Sequence, residues 1–433
     1  MESKLKLPGL LFLGIGYVIG AGIVSTIGAA FNATGYSMGL AFLVACLLSY
    51  LRLTPYIFFS SCVETTGGKQ EMITLCAGEK YGGLMAVSSL LALFSKAIAV
   101  AALKEYIGFI FPGVNGMFAA GAIWLRLCVL NLTGVNKISK IQNLVTPIML
   151  CSFLIFSTLC FKHPLNYGKS EFLLNGTEGF FTAVVLLSYS CEGVSSLLSF
   201  FRQTENPKKN IPLSMFLTNT AVGVIYVTVG FAACRLMNIG EYNNLLTVAK
   251  QIFTPVPYRA FLICSPLTAI ITTMNSGIAS SAVPIKAAAE KGYLPKFLSF
   301  KNRNGIRYFT VGVIFFFGFI PPAFGLSVSR IVNMTVITNS ISTILILLSA
   351  INMPFVLKEK WEKSNIHIPD KIYFFLVFLC RITEIFLIFQ SVKNLSAKVL
   401  TVNFIILILA VVYSALKNAR KNRASEYKIK EVF

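Results

Sequence analysis

The sequence predicts an all-α integral membrane protein of about 12 transmembrane helices, and three observations carry that reading. Hydrophobic residues fill 55% of the 433 positions while charged residues fill 13%. A water-facing surface needs roughly 25% charged residues, so lipid must cover what this chain cannot. Apolar runs of about 20 residues, each long enough for a hydrocarbon core, recur from end to end. The third observation is where the cations sit. Lys and Arg total 38 against 17 Asp and Glu, a net charge of +21. They lie in short connections between apolar runs and not on one amphipathic face, which excludes nucleic acid as a partner.

The runs place helices 1 to 12 at residues 8–30, 37–61, 82–103, 116–131, 142–161, 178–201, 213–236, 258–286, 307–324, 331–357, 372–391 and 398–416. No small-residue cleavage site follows the first run, so it reads as a span and not as a removable signal. With the N-terminus inside, the inward loops and tail hold about 25 Lys plus Arg and the outward loops about nine. Both termini are therefore expected in the cytoplasm, with the chain in the plasma (cell inner) membrane. The densest inward loop runs from Lys286 to Arg307, and the basic tail 417–433 comes second. No Gly/Ser linker or low-complexity tract divides the chain, so residues 1–433 read as one membrane domain.

Composition also removes chemistries. Ten cysteines are scattered without a Cys-x-x-Cys, and the two histidines, His163 and His367, lie in loops. Neither a disulfide framework nor a metal or other cofactor is expected. A membrane enzyme would need convergent nucleophiles or metal ligands, yet intramembrane acids are few, chiefly Glu192 and Glu384. A channel would need rings of charge or a repeated filter, and the sequence has no such pattern.

Two helices carry residues that break helices. Helix 1 contains Gly14, Gly16, Gly20 and Gly22, and each glycine costs about 1 kcal/mol against alanine in a helix interior. Helix 6 contains Ser188-Tyr189-Ser190-Cys191-Glu192-Gly193-Val194-Ser195-Ser196 near its centre. Backbone freed in lipid costs several kcal/mol per group, so such breaks persist only around protein or a wet cavity. The two helices stand five apart, as an inverted repeat of five helices requires; 8–161 and 178–357 are then the repeats, and 372–416 is added to them. Glycines spaced like Gly16, Gly20 and Gly28 also suit plain helix packing, and that alternative stays open.

Other short segments carry a resemblance. Gly20-Ala21-Gly22-Ile23, Gly67-Gly68 with Gly78 and Gly82, Gly134 with Lys140-Ile141-Gln142, Asn206-Pro207 through Ile211-Pro212, and Asn275-Ser276 with Lys291-Gly292-Tyr293-Leu294-Pro295 follow one another over roughly residues 10–310. In that order they resemble amino acid permeases of the amino acid–polyamine–organocation (APC) superfamily. The resemblance implies an inverted-repeat transporter fold with discontinuous helices 1 and 6, and a secondary carrier of amino acids or related amines. It also implies a site. Backbone amides of Gly20, Ala21 and Gly22, beside Ile23, would hold the substrate carboxylate. Carbonyls of Ile19 and of Ser190, Cys191, Glu192 and Gly193 would hold the ammonium, and Tyr189, Val194 and Ser195 would border the side-chain pocket. The chain departs from the pattern where an acid is usual at Ser195, an arginine at Val283, an aromatic pair at Gln70 and Met72, and a lysine within Val145–Leu150. Exchange of one amino acid for another is then expected, with a proton path through Glu192 or sodium at Thr272, Thr273 and Ser276 as alternatives. A non-transporting sensor or accessory subunit would keep the same site and lose only the coupling.

Charges inside the runs complete the reading. Arg52 and Arg126 are expected to snorkel to the cytoplasmic face, and Arg381 to pair with Glu384 on its own helix. Lys96 and Glu192 have no such exit. A charge unpaired at mid-membrane costs at least ~3 kcal/mol, so Lys96 is expected to face the cavity and interact with Glu192. The alternative has Lys96 reaching outer headgroups and Glu192 bonding the broken helix.

Overall fold

Helix 1 is two helices, Leu7–Val18 and Ala21–Thr34, and the pair sets the plan of the molecule. The computed structural model describes residues 4–132, 135–165, 168–241, 243–300, 308–393 and 395–430. Gly134 and the loop residues 301–307 lie outside them, as does the side chain of Ala21. Among the described residues, ten helical stretches are long and apolar enough to cross a membrane, at the places expected for helices 1, 2, 3, 5, 6, 7, 8, 10, 11 and 12. Helices 4 and 9 are shorter apolar helices, Gly116–Asn131 and Tyr308–Ala323, of 16 residues each. At 1.5 Å per residue they extend about 24 Å.

Helix ends move where hydropathy is blind. Helix 12 runs Ala397–Lys430, through the basic tail, because a helix does not stop where its residues turn polar. Helix 5 begins at Val135, before its apolar run. Loops hold short helices that hydropathy does not see, such as Lys69–Cys76 between helices 2 and 3 and Leu245–Ile252 between helices 7 and 8. The latter starts with a capping box: Asn244 Oδ1 accepts from Thr247 N at 2.8 Å, and Thr247 Oγ1 accepts from Asn244 N at 3.1 Å. Such a box satisfies two orphan amides at once.

The Asn206-Pro207 pair has a clear local cause. Asn206 takes φ 43°, and Pro207 opens helix 7 (Pro207–Ala233). Asparagine tolerates that left-handed turn better than most residues, and proline suits a helix's first position. Just before it, Leu5 N donates to Gln203 O at 2.7 Å and Glu205 N to Leu5 O at 2.9 Å. This single β-bridge ties the chain's start to the end of helix 6. The first half of helix 1 packs on helices 5, 7 and 8, and its second half on the first half of helix 6. Both interruptions therefore lie in the interior.

Candidate functional site

The break in helix 1 is closed by its neighbours. Val18 ends the first half, Ile19 is extended, and Gly20 caps the second half at φ −165°. The carbonyls so released need donors. Thr273 Oγ1 of helix 8 lies 3.2 Å from both Gly16 O and Ile19 O. Tyr226 of helix 7 lies with its hydroxyl 3.0 Å from Val18 O and 3.3 Å from Ser190 O, so one buried phenol spans both breaks. The glycines here are also close-approach positions. A Cβ on Gly20 would overlap Thr273 Oγ1, and one on Gly22 would come within 2.9 Å of Ser190 Cα.

The break in helix 6 is built differently. Its first half, Gly176–Ser190, ends in a turn, and a 3-10 helix follows over Val194–Gln203. Gly193 takes φ 119°, and a Cβ there would meet the Tyr17 ring at 2.5 Å. Glycine is needed on both counts. Glu192 points to helix 2, where its Oε1 accepts from Arg52 Nη2 at 2.7 Å, and Glu384 Oε1 of helix 11 accepts from Arg52 Nε at 2.8 Å.

These contacts correct three expectations. Arg52 does not snorkel; its side chain is 17% exposed and bridges two acids from other helices. Glu384 pairs with Arg52 and not with Arg381, which is exposed. Lys96 does not pair with Glu192: its Nζ donates to Tyr17 OH at 3.1 Å and lies 5.4 Å from that ring's centre. It also lies close against Gly277 of helix 8, so it turns inward and not to outer headgroups. The cause is shared. An arginine fork satisfies two carboxylates at once, which leaves the lysine to an aromatic face.

Between the breaks lies a cavity of about 320 Å³, within the usual size of small-molecule sites. Gly22, Lys96, Thr273 and the run Tyr189 to Ser195 line it, as do Arg52 and Glu384. Ile19, Gly20 and Ile23 are buried behind its wall. Thr272 and Ser276 also lie off the cavity: Thr272 Oγ1 donates to Ala269 O, and Ser276 Oγ accepts from Gln142 Nε2 at 2.8 Å.

Sequence reasoning missed Tyr17, Tyr226 and Lys69, and misread Arg52. An arginine midway along an apolar run was the available signal. Arg52 and Glu192 each lie nine residues from the inward ends of their runs, 37–61 and 178–201, so asking for an acid at matching depth would have pointed to Glu192. Lys69 follows Gly67-Gly68, a turn pinned by Glu71 Oε2, which accepts from Thr66 N, Gly67 N and Thr65 Oγ1 at 2.7–2.8 Å. The turn directs Lys69 over the Tyr56 ring, 5.1 Å from its centre, at the cavity wall. Burial, the largest influence on it, pulls the Lys69 ammonium below its ordinary range.

The comparisons with known proteins agree on one family. The family described as amino acid permease matches residues 5–414. An uncharacterized amino acid permease, YecA of Bacillus subtilis, is 22% identical over 323 residues, covering 72% of this chain and 76% of the relative. The branched-chain amino acid permease BcaP of the same organism is 23% identical over 266 residues, 57% of each chain. The mitochondrial cationic amino acid transporter 3 of Arabidopsis thaliana is 22% identical over 334 residues, 70% of this chain and 54% of that one. These relatives are transporters and not enzymes. With its apolar helices and a family match across nearly its whole length, the chain is a multi-pass membrane protein that belongs to the amino acid permease family of the APC superfamily.

Proposed function

We propose that the chain is a secondary active carrier that moves amino acids or related amines by alternating access, and that it works by exchange. The observation that carries this reading is the cavity between two interrupted helices, with the backbone of both breaks reached by one residue, Tyr226. The substrate carboxylate sits at the amino end of the second half of helix 1, on Gly20, Ala21 and Gly22, where the helix dipole favours an anion. The ammonium meets the carbonyls from Ser190 to Gly193, which line the cavity, and Ile19 O once Thr273 Oγ1 releases it. Tyr189, Val194 and Ser195 border the side chain.

The proposed frame is twelve spans in a single domain, two inverted repeats of five with helices 11 and 12 added. Its seat is the plasma membrane with both termini inside. The positive-inside count supports that orientation. For coupling, exchange needs no ion. If an ion does couple, Thr273 is the better supported of the helix 8 hydroxyls, because Gly16 O and Ile19 O are at hand. Thr272 and Ser276 are held by other partners, and a proton route through Glu192 would have to release it from Arg52.

Purified protein in proteoliposomes tests the proposal. Efflux of a loaded amino acid that needs external amino acid and ignores proton and sodium gradients is the expected result. Uptake into empty vesicles driven by sodium alone would overturn exchange. Binding without flux would overturn the carrier and return the sensor.

A further inference from the structure

Five charged side chains line the cavity: Arg52, Lys69, Lys96, Glu192 and Glu384. Both carboxylates belong to Arg52, at 2.7 and 2.8 Å. Among the described residues, neither lysine forms an ion pair with an acid. Lys96 rests on the face and hydroxyl of Tyr17, and Lys69 on the face of Tyr56. An aromatic face steadies a cation through its quadrupole but brings no negative charge. The wall thus holds three cations against two anions, and the two lysines are the cations without an acid. A charge held in a partly dry site favours an opposite charge brought by the ligand.

A zwitterionic amino acid would leave that excess standing, since its own two charges cancel. A cationic side chain would add to it. We infer that the preferred substrates are dicarboxylic amino acids, with the side-chain carboxylate held by Lys96 and Lys69. The inference rests on the carrier reading above and names the substrate class for the same cavity. It also gives Tyr17 and Tyr56 a task. They hold the two ammonium groups inward before the substrate arrives, so that less ordering is needed on binding. Serine hydroxyls that also line the cavity, at Ser89, Ser195 and Ser199, supply further hydrogen-bond donors for an oxygen-rich ligand.

The experiment is counterflow uptake by the full chain in proteoliposomes, run against all twenty amino acids, with glutamate and glutamine as the critical pair. The two differ by one charge at nearly equal size. Glutamate is expected to half-saturate at a concentration at least about tenfold lower than glutamine, with arginine and lysine poorest. Lys96→Met and Lys69→Met should each pull that ratio toward one, and Lys96→Arg should keep it. Equal handling of glutamate and glutamine, or preference for arginine, would overturn this inference and leave the carrier standing. Uptake of no amino acid at all would overturn the carrier reading and this one with it. The wild-type ratio alone decides the matter if a lysine variant fails to fold.

Discussion

The two breaks do the same thing to a helix by different means. At helix 1 the chain parts over Ile19 and Gly20 with no left-handed residue and no charged side chain; neighbours fill in, through Thr273 and Tyr226. At helix 6 the break needs a left-handed glycine, Gly193, and carries an acid tied across the bundle to Arg52. The first offers backbone alone, and the second offers backbone carbonyls together with a charged side chain.

The Arg52 bridge gives the largest test of that contrast. Arg52→Met should destabilise the protein by about 3–5 kcal/mol, because Glu384 is then left buried and unpaired. Thermal unfolding of purified protein measures it, and adding Glu384→Gln should recover a good part. An Arg52→Met protein as stable as wild type would mean that the bridge does not hold the helix 6 break.

The glycines come next, because each sits where a neighbour leaves no room for a side chain. Valine at Gly20 or Gly22 would strike Thr273 or the Ser190 backbone. Paired substitutions separate packing from backbone strain. Gly193→Ala should cost about 1–2 kcal/mol in backbone strain alone, so Tyr17→Ala, which removes the clash, should not restore stability fully. Gly20 at φ −165° is ordinary extended backbone. Adding Thr273→Gly to Gly20→Ala should therefore restore stability to the level of Thr273→Gly alone, which lacks only the Thr273 contacts to Gly16 O and Ile19 O. Equal rescue at both sites would erase the distinction between the breaks.

Tyr226→Phe should have the smallest effect, about 1 kcal/mol for one lost hydroxyl. Because that hydroxyl reaches both Val18 O and Ser190 O, transport should fall more than stability does. A variant with unchanged transport would show that the two breaks are held independently.

Legibility in the sequence followed the range of the forces involved. The interruptions were visible because glycine and small polar residues at bilayer depth act locally, on their own helix. Gly193 and Gly20 could be singled out without knowing a single neighbour. The ion pairs were not visible. Arg52, Glu192 and Glu384 lie 140 and 332 positions apart along the chain, and the cost of an unpaired charge assigned Glu192 to Lys96 instead. Depth is one coordinate of three, and rotation about each helix axis decides which acids an arginine meets.

By itself, then, the sequence determined that this chain lives in lipid, roughly where its helices cross, which two must open, and, through short motifs in order, which family it belongs to. Each of these depends on residue type and spacing, because hydration and helix propensity act within about a turn or a span. Tertiary structure alone decided that Arg52 joins two acids, that Lys96 and Lys69 settle on tyrosine faces, and that Tyr226 spans both breaks. Those outcomes are set by which side chains reach a given point within about 3 Å for hydrogen bonds or about 6 Å for cation–π contacts. Only packed helices fix distances that short.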